Sequence, residues 1–134
     1  MSDTAFAALD APVDIARRYV AAYCAKDFEG VRALLDPDRF RFSHHSRGAY
    51  ADDADAFMAM LERMARDIFP DRRFVHIHAM HAIDDVVLLD AEWKGTSIVT
   101  VPGKFEAGVE RTMRLKSMIV VEGGRITEIR DHDS

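Results

Sequence analysis

The chain has 134 residues, of which 49% are hydrophobic and 31% charged, and its formal net charge is -5. That composition fits one soluble globular domain, residues 1–134, built around one core. The acidic balance and the lack of a basic cluster exclude a nucleic-acid surface, and no apolar run approaches the roughly 20 residues a membrane-spanning helix needs.

The opening segment, MSDTAFAALDAP, has neither a basic region nor a long apolar stretch. No secretory signal is expected, and a cytoplasmic location follows. Cys24 is the only cysteine, so no internal disulfide can form, which agrees with that location. Residues 1–9 show no period and are expected to fray. Asp10 is then a candidate N-cap, with Pro12 in the first turn. Ile15, Tyr19 and Tyr23 recur at a spacing of four, with Ala16 and Val20 beside them and Arg17 and Arg18 off the stripe, which predicts an amphipathic helix to about Ala25. Asp27 caps a second helix with Phe28, Val31, Leu34 and Leu35 inward, and Pro37 ends it. Phe40 and Phe42 alternate with Arg39 and Arg41 in a short strand, and residues 44–48 read as the loop after it. Asp52 and Asp53 open a third helix, whose apolar stripe is Phe57, Leu61, Met64 and Ile68 and which Pro70 stops near Phe69.

The period then changes from helical to two. Arg72 to Ile83 is a strand, Asp84 and Asp85 its turn, and Val86 to about Thr100 a second strand with a break at Gly95. Pro102-Gly103 marks a loop reaching to Gly108. Val109 to Val121 and Arg125 to His132 form a hairpin, with Gly123-Gly124 supplying the positive φ angles of its turn. Three helices followed by a meander of long strands predict an α+β fold: a strongly curved, mostly antiparallel sheet packed against three N-terminal helices as a cone. Three helices cannot cover both faces of such a sheet, so a homodimer is expected.

Three patches of this sequence resemble the SnoaL-like polyketide cyclases, a family of the nuclear transport factor 2-like, or ketosteroid isomerase-like, fold. They are Ile68-Phe69-Pro70-Asp71-Arg72, then Trp93-Lys94-Gly95-Thr96 with Val101-Pro102-Gly103-Lys104, and last Glu122-Gly123-Gly124-Arg125-Ile126-Thr127-Glu128. The likeness covers roughly residues 12–133. It implies the cone-shaped fold, a dimer, no metal, and a last-strand acid at Asp131. At two positions the chain departs from the family pattern. Ser97 stands where a His commonly follows the Gly-Thr of the middle strand, and Arg130 stands where an aromatic often precedes the last-strand acid. The related ketosteroid isomerases carry an acidic base on the short strand after the second helix, where this chain has Ser43-His44-His45.

The candidate chemistry centres on Asp131. It shares a strand face with Thr127 and Ile129, and if that face lines the cone, burial raises its pKa and makes it an acid or base near neutrality. The competing reading is a solvated acid near the C-terminus, next to Asp133. His44 continues the alternation of Phe40 and Phe42, so its imidazole can face inward as a partner to the acid; the alternative leaves both His44 and His45 in a solvated loop. Tyr19 can orient a substrate through its hydroxyl, although Tyr19 and Tyr23 also read as core packing. Phe42, Phe57, Met64, His76, Trp93, Met113 and Ile129 are the expected wall of an apolar pocket. The chain is rich in methionine, which adapts to irregular space.

His76 and His78 share a strand face with Phe74 and Met80, but no third ligand stands at a recognisable spacing, so no metal is expected. Asp90 and Glu92 form an acidic pair that would need an arginine between them to activate water, from Arg111 or Arg114; a charged outer face with Lys94 is the simpler reading. There is no phosphate loop, nucleophile elbow or dinucleotide fingerprint, and no cofactor is expected. Two functions fit these residues. One is cofactor-free proton transfer on a small, mostly apolar carbonyl or enol compound, of the cyclase, isomerase or dehydratase kind, with Asp131 as acid or base, His44 as its partner and Tyr19 orienting the substrate. The other is a non-catalytic ligand-binding or association module of the same fold.

Overall fold

The computed structural model describes residues 11–133. Helix α1 (Pro12–Ala25) begins at Ala11, whose extended backbone serves as N-cap without a side-chain acceptor. Asp10, the expected cap, lies outside the described residues. Ile15, Ala16 and Tyr19 are buried, while Arg17 and Arg18 are exposed, as the four-residue spacing requires. Asp27 caps α2 (Phe28–Leu34) by accepting a hydrogen bond from the Gly30 N–H at 2.9 Å.

The next segment differs from the sequence expectation. The short strand β1 runs over Arg41–His44, starting one residue after Phe40, and a 3-10 turn (His45–Arg47) folds the chain back into a further strand, β2 (Ala49–Ala51). A strand of three residues is too short to show a period, so the sequence predicts no element at 49–51. Helix α3 (Ala54–Arg63) is capped by Asp53, which accepts from the Ala56 N–H at 2.7 Å. It continues into a π-helical turn, Met64–Ile68, closed by the Phe69 N–H on the Met64 carbonyl at 2.7 Å. The wider turn lets both Ala65 and Phe69 be buried.

The long strands are β3 (Arg73–Ile83), β4 (Val86–Thr96), β5 (Glu110–Glu122) and β6 (Arg125–Asp133). All six strands form one curved, open sheet in the order β2-β1-β6-β5-β4-β3. Only the β1–β6 pair is parallel. This is the expected α+β architecture of three helices against a mostly antiparallel sheet. Strand β4 stops at Thr96 rather than near Thr100 because Ser97 turns the chain: its hydroxyl donates to the Val99 carbonyl at 2.6 Å and accepts from the Val99 N–H at 3.2 Å. Gly123 and Gly124 both have positive φ, 60° and 77°, and close the β5–β6 hairpin.

The helices pack on one face of the sheet. Val87, Leu89, Ala91 and Trp93 of β4 and Leu115, Ile119 and Val121 of β5 are buried there. They alternate with Leu88, Asp90, Glu92 and Lys94, or with Lys116, Met118 and Val120, on the other face. Ile129 of β6 is fully buried in the core cluster with Phe42, Ile119 and Val87. Ile129→Ala is expected to lower stability by about 2–5 kcal/mol, the usual range for emptying a buried aliphatic site. Urea unfolding followed by circular dichroism checks this.

Candidate functional site

Strand register builds the site. Across the sheet, His44 of β1 lies beside Asp131 of β6, Asp131 beside Ser117 of β5, and Ser117 beside Leu89 of β4. Two residues along β5 the row is Asp133, Leu115 and Ala91; two further it is Met113, Trp93 and Phe74; the last is Arg111 beside Gly95. These rows climb the helix-facing side of the sheet and, with α1, α3 and the 97–109 loop, line a cavity of about 130 Å³. All three candidate catalytic residues line it: Asp131, His44 and Tyr19. So do Phe42, Phe57, Met64, Trp93 and Met113 from the expected wall.

His76 and Ile129 do not line it. Ile129 faces the same side as Asp131 but is sealed in the core below. His76 is turned away by bulges that a strict period of two cannot show. Phe74 pairs with Trp93, yet His76 pairs with the very next β4 residue, Glu92, and a second shift between Ile77 and Ala79 restores the parity so that Met80 meets Leu89. Phe74 and Met80 therefore both pack inward while His76 and His78 are exposed. Their rings meet edge to face at 4.4 Å, and His78 Nε2 lies 3.0 Å from Glu92 Oε1. Asp90 holds Arg114 by two hydrogen bonds, 2.6 and 2.9 Å, in an ion pair on the outer face. The acidic pair therefore belongs to the solvated side of the sheet. No cluster of three His, Cys, Asp or Glu side chains suited to a metal occurs among the described residues.

Asp131 is 9% exposed and has one side-chain partner, the Ser117 hydroxyl, which donates to Oδ1 at 2.6 Å. No cation pairs with it among the described residues. Burial pushes its pKa up to about 7; the Ser117 hydrogen bond opposes the shift and the nearby Asp133 charge adds to it. Thr127 does not share this setting, because it occupies a bulge between Val120 and Val121 of the partner strand and bonds to the Glu122 carboxylate at 3.0 Å. Asp133 is held differently from Asp131: Arg47 Nε donates to its Oδ2 at 2.8 Å, and His44 Nε2 lies 3.8 Å from the same oxygen. Burial lowers the His44 pKa, against the pull of Asp133 and with the push of Arg47 and His132. The imidazole is therefore neutral at pH 7, and its Nδ1 is buried with no hydrogen-bond partner among the described residues. Tyr19 is held well above the ordinary phenol range by burial and then by the Asp131 charge, so it remains a proton donor.

Sequence reasoning under-weighted three groups. Tyr23 lines the cavity and accepts a hydrogen bond from Trp93 Nε1 at 2.9 Å, leaving its own hydroxyl proton available. Behind it the buried Arg72 places its guanidinium 3.9 Å from the Tyr23 ring centre. The other two are Arg47, part of the expected loop at 44–48, and Arg111, considered only as a partner for Asp90 and Glu92; both line the cavity. The even spacing of Arg111, Met113, Leu115 and Ser117 was the signal that could have placed Arg111 on the inner face.

The profile of the SnoaL-like domain matches residues 16–129. The chain belongs to the SnoaL-like domain family. No curated protein matches its sequence significantly. Among solved structures it is similar to IdmH, a candidate polyketide cyclase from Streptomyces antibioticus, at 20% identity, 93% coverage of both chains and a TM-score of 0.78. A candidate SnoaL-like polyketide cyclase from Shewanella putrefaciens gives 14% identity, 91% and 88% coverage of this chain and that one, and a TM-score of 0.79. A protein of ketosteroid isomerase-like fold from Catenulispora acidiphila, in complex with trimethylamine, gives 17%, 87% and 82%, and 0.72. At these identities the likeness speaks for the fold.

The two departures from the SnoaL-like pattern fall outside the cavity. Ser97 is buried in the turn that ends β4, and Arg130 is exposed, bonding Glu128 at 2.6 Å. Gly95 serves the cavity wall of this SnoaL-like domain. A Cβ there would come within 2.7 Å of the Trp93 ring and 3.1 Å of Phe69, whose edge-to-face contact with Trp93 has a centroid distance of 5.1 Å. Gly95→Ala is expected to cost about 1–3 kcal/mol through overpacking. Because the chain has one tryptophan, the displaced Trp93 should also change its emission spectrum, which fluorescence-monitored unfolding reads together with the stability loss.

Proposed function

We propose that the cavity carries out cofactor-free proton transfer on a mostly apolar carbonyl or enol compound, as in a cyclase, isomerase or dehydratase. The observation that carries this reading is the Asp131 carboxyl buried in an apolar cavity with a serine hydroxyl as its side-chain partner, a setting that pushes its pKa up to about 7. A base poised near the working pH gives the best compromise between being ionised and holding a proton. In the proposed step the Asp131 carboxylate takes the proton from a carbon next to the substrate carbonyl. The C–H electron pair moves onto the carbonyl oxygen as an enolate, which the Tyr19 and Tyr23 hydroxyls and the neutral His44 are suited to hydrogen-bond. The Asp131 carboxylic acid then returns the proton: to another carbon in an isomerisation, to the alkoxide left when the enolate carbon adds to a second carbonyl of the substrate and that C=O π pair moves to its oxygen in a cyclisation, or to a β-hydroxyl that departs as water with its C–O bond pair in a dehydration. Atoms and electrons balance without a co-reactant.

Asp131→Asn tests this. The amide cannot exchange a proton, so turnover on an identified carbonyl substrate should vanish. The native rate should rise with pH through about 7 as the carboxylate forms. The stability change has the opposite sign. A carboxyl whose pKa is higher folded than unfolded keeps its proton longer in the native state. Its contribution is full below about 4, declines as pH rises, and is lost above about 7, a cost of at most about 4 kcal/mol. The amide does not pay that cost, so the variant should be at least as stable as the native protein at pH 8 and gain nothing at pH 4. Urea melts at both values check this, and an active variant sinks the acid–base role.

The alternative is a binding or association module that uses the same cavity or sheet without chemistry. We propose a homodimer under either reading. Leu88 is 44% exposed on the uncovered face of the sheet. Sedimentation equilibrium at micromolar concentration should find twice the 15.1 kDa chain mass, and a monomer alone refutes it.

A further inference from the structure

We infer that the ligand of this cavity is an elongated apolar acid, whose carboxylate binds Arg111 while its reacting carbonyl reaches Asp131. The inference rests on the cavity being a ligand site, as proposed above, and follows from a charge balance. Besides the two tyrosines, whose phenols burial keeps protonated, four groups on the cavity wall can carry charge near neutral pH: Asp131, His44, Arg47 and Arg111. The Arg47 charge is spent on Asp133 at 2.8 Å. His44 is neutral, its pKa lowered by burial. Arg111 has no carboxylate partner among the described residues. Its Nη1 donates to the Lys104 carbonyl at 2.7 Å, and the guanidinium stands 5.5 Å from the Phe105 ring centre. The nearest acid in sequence, Glu110, points to the other side of the strand, where Arg73 and Lys94 approach it at 3.5 and 3.8 Å.

Arg111 is thus a half-buried cation with donors to spare at an otherwise apolar wall. A guanidinium fork matches a carboxylate with two parallel hydrogen bonds. The wall beside it is aromatic: Phe105 stacks edge to face on Phe69 at 4.9 Å, and Phe69 on Trp93 at 5.1 Å. That edge suits a flat apolar body. Arg111 and Ser117, the partner of Asp131, lie on the same face six residues apart on β5, about 20 Å of strand between α-carbons. The ligand must therefore carry its anion and its reacting carbonyl at opposite ends. The competing account gives Arg111 only the task of holding the loop through Lys104.

Trp93 lies in the cavity wall and is the one tryptophan of the chain, so its emission reports occupancy. The probes are biphenyl-4-carboxylate and its neutral isostere biphenyl-4-carboxamide, titrated at about pH 6, where Asp131 is largely protonated and does not repel an anion. The acid should bind at least tenfold more tightly than the amide. Arg111→Gln should abolish that preference while leaving amide binding in place, and Arg111→Lys should keep part of it. Should Arg111→Gln not fold, salt decides on the unmodified protein: raising it from about 20 to about 500 mM should weaken the acid and spare the amide. Equal affinity for the two probes, or a preference that survives Arg111→Gln or high salt, overturns the anion assignment and leaves the ligand site standing. No Trp93 response to either probe overturns both.

Discussion

The architecture depends on a mismatch of lengths. Strand β5 has 13 residues and β4 has 11, so each extends for roughly 35–45 Å. Among the described residues the longest α-helix, α1, has 14 residues, which make only about 21 Å. Three short helices can seal one end of the helix-facing side of the sheet and no more. Where they are packed closely, Ile15, Val31, Phe57, Ile119 and Ile129 form a core with almost no exposed surface. Where the sheet outruns them the core thins into a cavity, roofed by the 97–109 loop through Phe105. The apolar wall and the polar groups of the site follow from this, since the inner face of the strands continues past the point where side chains can fill it.

Within that space the charged groups are handled in two different ways. Asp133 is compensated by Arg47, a short ion pair at the cavity edge. Asp131, two residues earlier on the same strand, receives only a serine hydroxyl. A carboxylate is costly to bury without a cation, so the group shifts its titration instead of holding its charge. The parallel pairing of β1 with β6 is what sets His44 next to it, and a change of one residue in that register would send the imidazole to the opposite face.

Much of this was legible from residue order. The period of four in α1, the Asp27 and Asp53 caps, and the Gly123-Gly124 turn each carry a local physical cause, and all stand in the structure at the expected places. Most of the residues expected to meet do so, because alternation along β4, β5 and β6 is regular where the cavity forms. What was not legible involves pairs of distant segments. The bulges that expose His76 exist only against β4, the π turn after Arg63 only against the packing of Phe69, and β2 only as the partner of β1. Arg72 is the sharpest case. Its sequence neighbours are a proline turn and a strand, and nothing local says that its guanidinium is buried against the Tyr23 ring.

The bulges in β3 have a further consequence, unrelated to the cavity. In the order β2-β1-β6-β5-β4-β3 the two outer strands are β2 and β3. An outer strand offers a row of unpaired backbone donors and acceptors, and a long, flat, apolar one templates the addition of foreign strands. β2 escapes that risk by having three residues. β3 has 11 residues and carries the exposed Val75 and Ile77, so it is the vulnerable rim. Two interruptions of its register, one beside each of these side chains, bend the rim and break the even spacing that an incoming strand would need. The irregularity that turns His76 outward is thus also of the kind that discourages edge-to-edge strand addition.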